Sequence, residues 1–281
     1  MGRLPRLAAV TAAILLAASP AAPNPGVLFR VSSGAEIPLQ KMVEDLTTAR
    51  VVFVGEEHDN RAHHAAQLSV VQALAGAGAE VAVGLEMFRA DAQADLDRWV
   101  AGRLGQRQFY EVYADNWARR LWPLYSDIFF HARQERIPLV GLNLPRALVA
   151  QVAREGFDAL AREDKDALGV VRCDVDERYQ QLIALVLGRK DQKSRAFHRF
   201  CEAQILWDTA MAQNALRFLE ANPKHVLVVL AGTFHAWKHG IPEQLRRLSP
   251  LPYRVILPSS DKSFLRYDIV LQDADYVWWH E

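Results

Sequence analysis

Two stretches of the chain place a histidine three residues after a glycine, where an apolar run ends. VVFVGEEH ends at His58, and VLVVLAGTFH ends at His235. Glycine permits a tight turn after a strand and leaves the backbone open to a ligand. An imidazole beyond that turn suits either metal binding or general acid–base chemistry with a carboxylate. The repeated pattern therefore predicts a polar site built by two distant segments.

Carboxylates accompany both histidines. Glu57 precedes His58, and Glu86 directly follows the apolar run VAVGL, where it needs a partner. We predict a catalytic set of Glu57, His58, Glu86 and His235. A divalent metal held by His58, Glu86 and His235 is the alternative chemistry. A third alternative is structural, since Glu57 would also suit a helix N-terminus and a lone histidine after a strand is often a surface residue.

A second group of residues is expected to line the same site. Gln204 and Asp208 are four residues apart on one predicted helix face, which is either a wall of the site or a structural hydrogen-bonding face. Arg146 could pair with Glu86 or hold an acidic group of a substrate. The complete predicted ligand-binding set is Gly55, Asn143, Arg146, Gln204, Asp208 and Gly232.

Short apolar runs without alternation predict the strands that position these residues. Such runs are typical of strands covered on both faces, and helical spacing of apolar residues fills the segments between them. The result is an α/β fold, a mainly parallel sheet with flanking helices, whose ligand crevice lies beyond the carboxyl ends of the strands. The predicted strands are residues 51–54, 81–85, 138–142, 226–230 and 253–257, with an edge strand at 267–271.

The helical part of the prediction includes one long insertion. Apolar spacing predicts helices over residues 62–77, 90–101, 117–133, 179–187, 197–219 and 242–248. Residues 146–199 are polar and lack a strand-like run, so we expect a helical insertion or cap there. The length favours one α/β domain over residues 23–281.

The N-terminus predicts export. A basic start and a short apolar run over residues 1–22 fit a cleavable signal peptide, with an uncleaved anchor as the alternative. No cysteine follows for lipid attachment, so the expected location is periplasmic or secreted. Cys173 and Cys201 could form a disulfide or remain buried thiols. Lys and Arg together number 33, as do Asp and Glu, so no basic excess attracts nucleic acid.

Five motifs in order carry a resemblance to a known family. They are GEEHDN at residues 55–60, LEMF at 85–88, NLPR at 143–146, QILWDTAM at 204–211 and AGTFH at 231–235. With these motifs the chain resembles the ChaN-like haem-binding uptake proteins of the Tiki superfamily, over about residues 51–258. Related branches of that superfamily are metal-dependent proteases and erythromycin-esterase-like hydrolases.

The resemblance implies an exported protein of haem or iron uptake that binds haem through a tyrosine. It also implies a homodimer and an outer-membrane haem receptor as partners, although the absent lipid-attachment cysteine departs from the lipoprotein members. The candidate ligands are Tyr110, Tyr113, Tyr125 and Tyr179. Two functional hypotheses follow: haem binding, and a metal-dependent or His/Glu acid–base hydrolase at the strand ends. A scaffold whose pocket serves only stability is the third.

Overall fold

The computed structural model of the protein describes residues 26–169, 171–188, 194–259 and 269–280. Eight strands in these ranges form one sheet, in the spatial order β2, β1, β8, β7, β3, β6, β4, β5. All neighbours from β8 to β5 are parallel, and β1 pairs antiparallel with β8 and β2. The strands are β1 (Val27–Arg30), β2 (Ala35–Glu36), β3 (Val51–Glu56), β4 (Val81–Arg89), β5 (Leu139–Asn143), β6 (Val226–Gly232), β7 (Tyr253–Ser259) and β8 (Tyr276–Trp279).

Helices cover both faces of the sheet. They are α1 (Leu39–Leu46), α2 (Arg61–Gly76), α3 (Gln93–Val100), α4 (Gln106–Asn116), α5 (Trp122–Glu135), α6 (Arg146–Glu155), α7 (Arg162–Leu168), α8 (Glu177–Val186), α9 (Arg195–Ala221), α10 (Thr233–Ala236) and α11 (Ile241–Leu248). Helices α1 to α5 contribute to one hydrophobic core, and α6, α8, α9, α10 and α11 contribute to a second. The mainly parallel α/β sheet with flanking helices is confirmed.

Strand β3 shows why the apolar runs lack alternation. Val52 and Val54 belong to the first core, whereas Val51 and Phe53 belong to the second. Successive side chains point to opposite faces of a strand, and here both faces are buried. Full burial of one such side chain contributes about 1.5–3 kcal/mol, so the pattern fixes the strand firmly inside the sheet.

Where the structure describes residues 146–199, they form helices α6, α7, α8 and the start of α9 with connecting segments and no strand, as predicted. Helix α6 packs against α9, and α9 packs against β5, so this part covers one face of the sheet. A disulfide joins Cys173, before α8, to Cys201 in α9, with their Cα atoms 5.4 Å apart. Of the two alternatives, a disulfide or two buried thiols, the structure contains the disulfide.

The C-terminal part differs from the sequence prediction. Residues 267 and 268 of the expected edge strand lie outside the described residues, and 269–271 are not a strand. Instead β8 lies inside the sheet, parallel to β7 and antiparallel to β1. Strand β1 pairs with a segment about 250 residues later in the sequence, a separation that leaves no local signal.

The expected signal sequence at residues 1–22 lies outside the described residues, and the single domain over residues 23–281 stays a prediction. None of the helices in the described ranges is both long enough and apolar enough to cross a membrane.

Candidate functional site

Three neighbouring parallel strands bring the predicted site residues to the same edge of the sheet. Strands β3, β6 and β4 are adjacent, and Glu56 of β3 is in register with Gly232 of β6. Strand β4 continues past its pairing with β6 at Leu85, so Glu86 reaches the same edge. This is the carboxyl edge, where parallel sheets place their ligands.

Gly232 lies between the predicted site residues. Its N–H donates to Oε2 of Glu86 at 2.6 Å. A Cβ at this position would lie 2.9 Å from Cε1 of His58 and 3.6 Å from Oε2 of Glu86. On the other side of Glu86, Oε1 is 3.9 Å from Nε2 of His235. His58, Glu86 and His235 therefore converge, and glycine is needed because a side chain would displace the His58 ring.

His58 is held by a buried carboxylate that belongs to Glu56. The Nδ1 atom of His58 is 2.8 Å from Oε1 of Glu56, and the Tyr125 hydroxyl donates to the same oxygen. Nδ1 of His64 is 3.0 Å from the other oxygen, Oε2. Burial alone would raise the pKa of Glu56, but the hydrogen bonds from His58 and His64 outweigh it and lower the pKa to about 2. Glu56 is thus a fixed anion.

The His58 ring combines a fixed orientation with partial access to solvent. Its side chain is 42% exposed, and its Nε2 makes no hydrogen bond within the described residues. Burial lowers the pKa of His58, but the hydrogen bond to Glu56 and the charge of Glu86 exceed this and raise it. Occupation of Nδ1 leaves Nε2 as the atom able to exchange a proton.

Glu57, part of the predicted catalytic set, is not in this cluster. Its carboxylate is 34% exposed and lies 3.9 Å from Nδ1 of His63. That Nδ1 accepts the backbone N–H of Glu57 at 3.0 Å, and burial lowers the pKa of His63 to about 4, so His63 is neutral. Glu56 occupies the position expected for Glu57, because it continues the alternation of Val52 and Val54 toward the core that contains Tyr125.

His235 is held in the same manner by a second buried carboxylate. Its Nδ1 is 2.6 Å from Oδ1 of Asp208, and the Tyr179 hydroxyl donates to Oδ2 at 3.0 Å. Burial lowers the pKa of His235, but the charges of Asp208 and Glu86 outweigh it and raise the pKa to about 9. The two carboxylates therefore favour the protonated form of His235. Of the two alternatives for this helix face, Asp208 favours the wall of the site, because it contacts His235.

An indole flanks each histidine. The Trp117 ring is 5.2 Å from His58, and the Trp207 ring is 5.2 Å from His235. Trp207 also donates its Nε1–H to Oδ1 of Asn143. Two indoles thus border the site.

The remaining predicted ligand-binding residues have different roles. Asn143 donates to the backbone oxygen of Glu86 at 2.6 Å and so positions β4. Arg146 is exposed, with its Cζ 5.3 Å from the Trp117 ring, and does not pair with Glu86. Gln204 is buried on α9, one turn before Asp208, without a side-chain hydrogen bond to another described residue. Gly55 leaves room for the side chain of Leu257, whose Cδ2 would lie only 3.0 Å from a Cβ atom at position 55.

The metal alternative receives no support from this geometry. Across residues 26–169, 171–188, 194–259 and 269–280, no group of three or more histidine, cysteine, aspartate or glutamate residues is arranged to hold a metal ion. In the predicted set of His58, Glu86 and His235, Nδ1 of each histidine already contacts a carboxylate, and one oxygen of Glu86 accepts the Gly232 N–H.

The four candidate haem tyrosines differ in accessibility. Tyr113, Tyr125 and Tyr179 are buried, and their hydroxyls donate to the Ala118 carbonyl, Glu56 and Asp208. Tyr110 is partly exposed, its ring is 5.5 Å from that of Trp122, and its hydroxyl makes no hydrogen bond to another described residue. A phenol that binds iron needs a free oxygen, so among these four Tyr110 fits that role.

Fold and site define an α/β protein with a buried histidine–carboxylate cluster, bordered by two indoles, at the carboxyl edge of a parallel sheet. The chain belongs to the family described as haem-binding uptake, Tiki superfamily, ChaN, whose match spans residues 42–245. The resemblance carried by the five motifs is thereby confirmed. Among curated proteins, no sequence matches the chain.

Solved structures share the fold. One is a Campylobacter jejuni ChaN structure described as showing cofacial haem binding, 20% identical, covering 90% of this chain and 95% of that chain with a TM-score of 0.67. A Bacillus cereus protein is 15% identical, covering 79% and 68%, with a TM-score of 0.51. At such identities the likeness concerns the fold alone.

Proposed function

We propose that this chain is an exported haem-binding protein of haem or iron uptake, with Tyr110 as the ligand of the haem iron. The observation that carries the ligand assignment is that the Tyr110 hydroxyl makes no hydrogen bond to another described residue, in contrast to the engaged hydroxyls of Tyr113, Tyr125 and Tyr179. Membership of a haem-binding family supports haem as the ligand.

The surroundings of Tyr110 suit a flat apolar ligand that carries two carboxylates. The partly buried indole of Trp122 lies beside the Tyr110 ring and offers an apolar face. Glu111, the next residue, pairs with the exposed Arg119 at 3.1 Å. Arg120 is exposed and forms no ion pair within the described residues. These guanidinium groups supply the donors that haem propionates require.

Export is supported by the N-terminal pattern and by the disulfide. The basic and apolar residues 1–22 fit a signal peptide, and the bond between Cys173 and Cys201 belongs to an oxidising compartment. We place the mature protein in the periplasm or outside the cell, receiving haem from an outer-membrane receptor. A second copy of the chain covers the face of the haem opposite Tyr110.

The test is a hemin titration of protein purified after periplasmic expression. Wild type should give a shifted Soret band with saturation near one hemin per chain, and Tyr110→Phe should lose the phenolate charge-transfer band and at least tenfold in affinity. Tyr253→Phe is the matched control, because Tyr253 is another partly buried tyrosine, at the amino end of β7. An unshifted Soret band with wild type contradicts the proposal, and equal spectra of wild type and Tyr110→Phe contradict the ligand assignment.

The export part has its own readout. Mass spectrometry of the periplasmic protein should show cleavage near residue 22, and size-exclusion chromatography should show a hemin-dependent dimer. A full-length chain that remains in the cytoplasmic fraction contradicts export.

A further inference from the structure

A cavity of about 530 Å³ opens at the amino-terminal edge of the parallel strands, opposite the histidine–carboxylate cluster. Its lining includes Val81, the first residue of β4, Pro138, which directly precedes β5, and His225, which directly precedes β6. Small-molecule sites in proteins have volumes of about 300–1,000 Å³, so this one, the amino-edge cavity, has the size of a ligand site. None of the residues assigned to haem or to the cluster lines it.

Two oppositely charged side chains of the amino-edge cavity have no partner within the described residues. Glu80 and Arg136 both line the cavity and are exposed, and neither side chain forms an ion pair or a hydrogen bond to another described residue. Charges in a concave surface act on a ligand through less water than charges on a flat surface. The cavity thus offers a cation and an anion to a ligand of matching charges.

Arg136 has a backbone conformation that usually belongs to glycine. It follows the last residue of α5 with φ of 56°, and it is the only non-glycine residue with positive φ in the described ranges. The left-handed position after a helix is usually occupied by glycine, because a Cβ atom is strained there. An arginine at this position costs stability that a glycine would not, and such strain is typical of functional sites.

The carboxyl ends of two helices strengthen the negative side of the cavity. Gly76, the last residue of α2, and Glu135, the last residue of α5, both line it. Each helix C-terminus carries partial charge equivalent to about half a negative elementary charge. These ends act together with Glu80 and favour a cationic group in the ligand, whereas the planar guanidinium of Arg136 favours a carboxylate.

The walls of the cavity add an unsatisfied polar atom and an apolar surface. His131 lines the cavity, and its buried Nε2 has no hydrogen-bond partner within the described part of the chain. Buried polar groups normally have such a partner, so a ligand can supply one. Val81 and Ile137 are 5% and 6% exposed and offer contacts to an alkyl group.

We propose that the amino-edge cavity binds a small aliphatic zwitterion, a compound with one ammonium group and one carboxylate. Arg136 holds the carboxylate, and Glu80 with the two helix ends holds the ammonium group. The alkyl chain contacts Val81 and Ile137, and Nε2 of His131 forms a hydrogen bond to the ligand. This binding site goes beyond haem binding and uses none of the side chains assigned to it.

The experiment is isothermal titration calorimetry of the mature protein at neutral pH with three five-carbon probes. They are 5-aminopentanoate, which carries one charge of each sign, 1,5-diaminopentane, which carries two positive charges, and glutarate, which carries two negative charges. We expect 5-aminopentanoate to bind saturably at one per chain. The other two probes should bind about tenfold more weakly or less, because each brings one group of the wrong charge to Arg136 or to Glu80.

Two variants test the assigned contacts. Glu80→Gln and Arg136→Gly should each weaken 5-aminopentanoate binding about tenfold, since each leaves one charge of the ligand unpaired. Arg136→Gly should nevertheless melt at the same or a higher temperature than wild type, because glycine adopts this conformation without strain. Glu220→Gln is the matched control, because Glu220 on α9 is exposed, forms no ion pair within the described residues and lies outside the cavity. It should bind the probe as wild type does.

Absence of saturable 5-aminopentanoate binding at millimolar concentration overturns the proposal. Equal affinity for 5-aminopentanoate and for either symmetric probe also overturns it, as does wild-type affinity in both folded variants. Circular dichroism melting establishes that each variant is folded. A normal hemin titration beside any of these results leaves the haem proposal standing, because the two sites share no side chain.

Discussion

Oδ1 of Asp208 lies 2.6 Å from Nδ1 of His235, and neither side chain is more than 8% exposed. One partner comes from the middle of α9 and the other from α10, directly after β6. Removal of one partner from a buried ion pair strongly destabilises a protein, because the other partner is left as an uncompensated charge. The contact therefore decides both the protonation of His235 and part of the stability.

Asp208→Asn should destabilise the protein and lower the pKa of His235. The folded pKa of about 9 exceeds the unfolded value near 6.5, so the stabilisation is full below pH 6.5 and is lost as the pH rises through 9. We expect the free energy of unfolding of wild type to fall by about 3 kcal/mol over this window, and Asp208→Asn to lose most of that slope. Urea denaturation from pH 6 to 10 measures it. A parallel pH dependence in both proteins would refute the assignment.

Tyr125→Phe should cost more stability than Tyr113→Phe, although both tyrosines are buried in the same core. The Tyr125 hydroxyl donates to the buried carboxylate of Glu56, and its loss should cost about 1.5–3 kcal/mol. Tyr113 reaches the Ala118 carbonyl at only 3.4 Å, so its loss should cost less than about 1 kcal/mol. Chemical denaturation at pH 7 compares them. Equal losses would mean that the hydroxyl of Tyr125 is not a partner of Glu56.

Gly232→Ala should disturb the site more than the fold. The backbone of Gly232, with φ of −54°, accepts alanine, but the new methyl group would lie 2.9 Å from the half-exposed His58 ring. We expect a loss of less than about 1 kcal/mol in stability, because that ring can move outward, and a shifted His58 titration in NMR. Gly84→Ala is the contrasting variant. There the methyl group meets Leu142 inside the sheet at 2.8 Å, and overpacking should cost about 1–3 kcal/mol. The opposite order of losses would contradict this prediction.

Cys173→Ala/Cys201→Ala should lower stability by about 3–4 kcal/mol, since the bond closes a loop with a sequence separation of 28. The measurement is urea denaturation beside wild type, and the control is a thiol assay. Denatured protein from the periplasm should show no free thiols, and protein made in a reducing cytoplasm should show two. Two free thiols in the periplasmic protein would contradict the disulfide and remove one support for export.

Much of the fold was predictable because fully buried parallel strands have a distinct composition. The runs that became β3 and β6 end in glycine and lead into histidine, so the meeting of His58, Glu86 and His235 was expected from the rule that parallel strands place their ligand site at their carboxyl ends. The choice of Glu56 over Glu57 had no local signal, because both faces of β3 are buried and its apolar run does not show which face carries the site.

Other parts of the site carried no local signal. Tyr125 and Tyr179 contact Glu56 and Asp208 across separations of 69 and 29 residues, and only packing of α5 and α8 brings them together. The pairing of Cys173 with Cys201 depended on how the insertion folds onto the sheet. The roles of the site residues and the location of the protein remain predictions that the experiments above address.

Each cysteine of the disulfide lies close in sequence to a residue that supports His235. Cys173 precedes Tyr179 by six residues, and Cys201 precedes Asp208 by seven on α9. The disulfide thus links the segment that carries Asp208, which contacts His235, to the segment that carries Tyr179, which donates to Asp208. In a folded chain that still carries two free thiols, the imidazole of His235 should be held less firmly. Formation of the distant disulfide should therefore alter the proton affinity of His235.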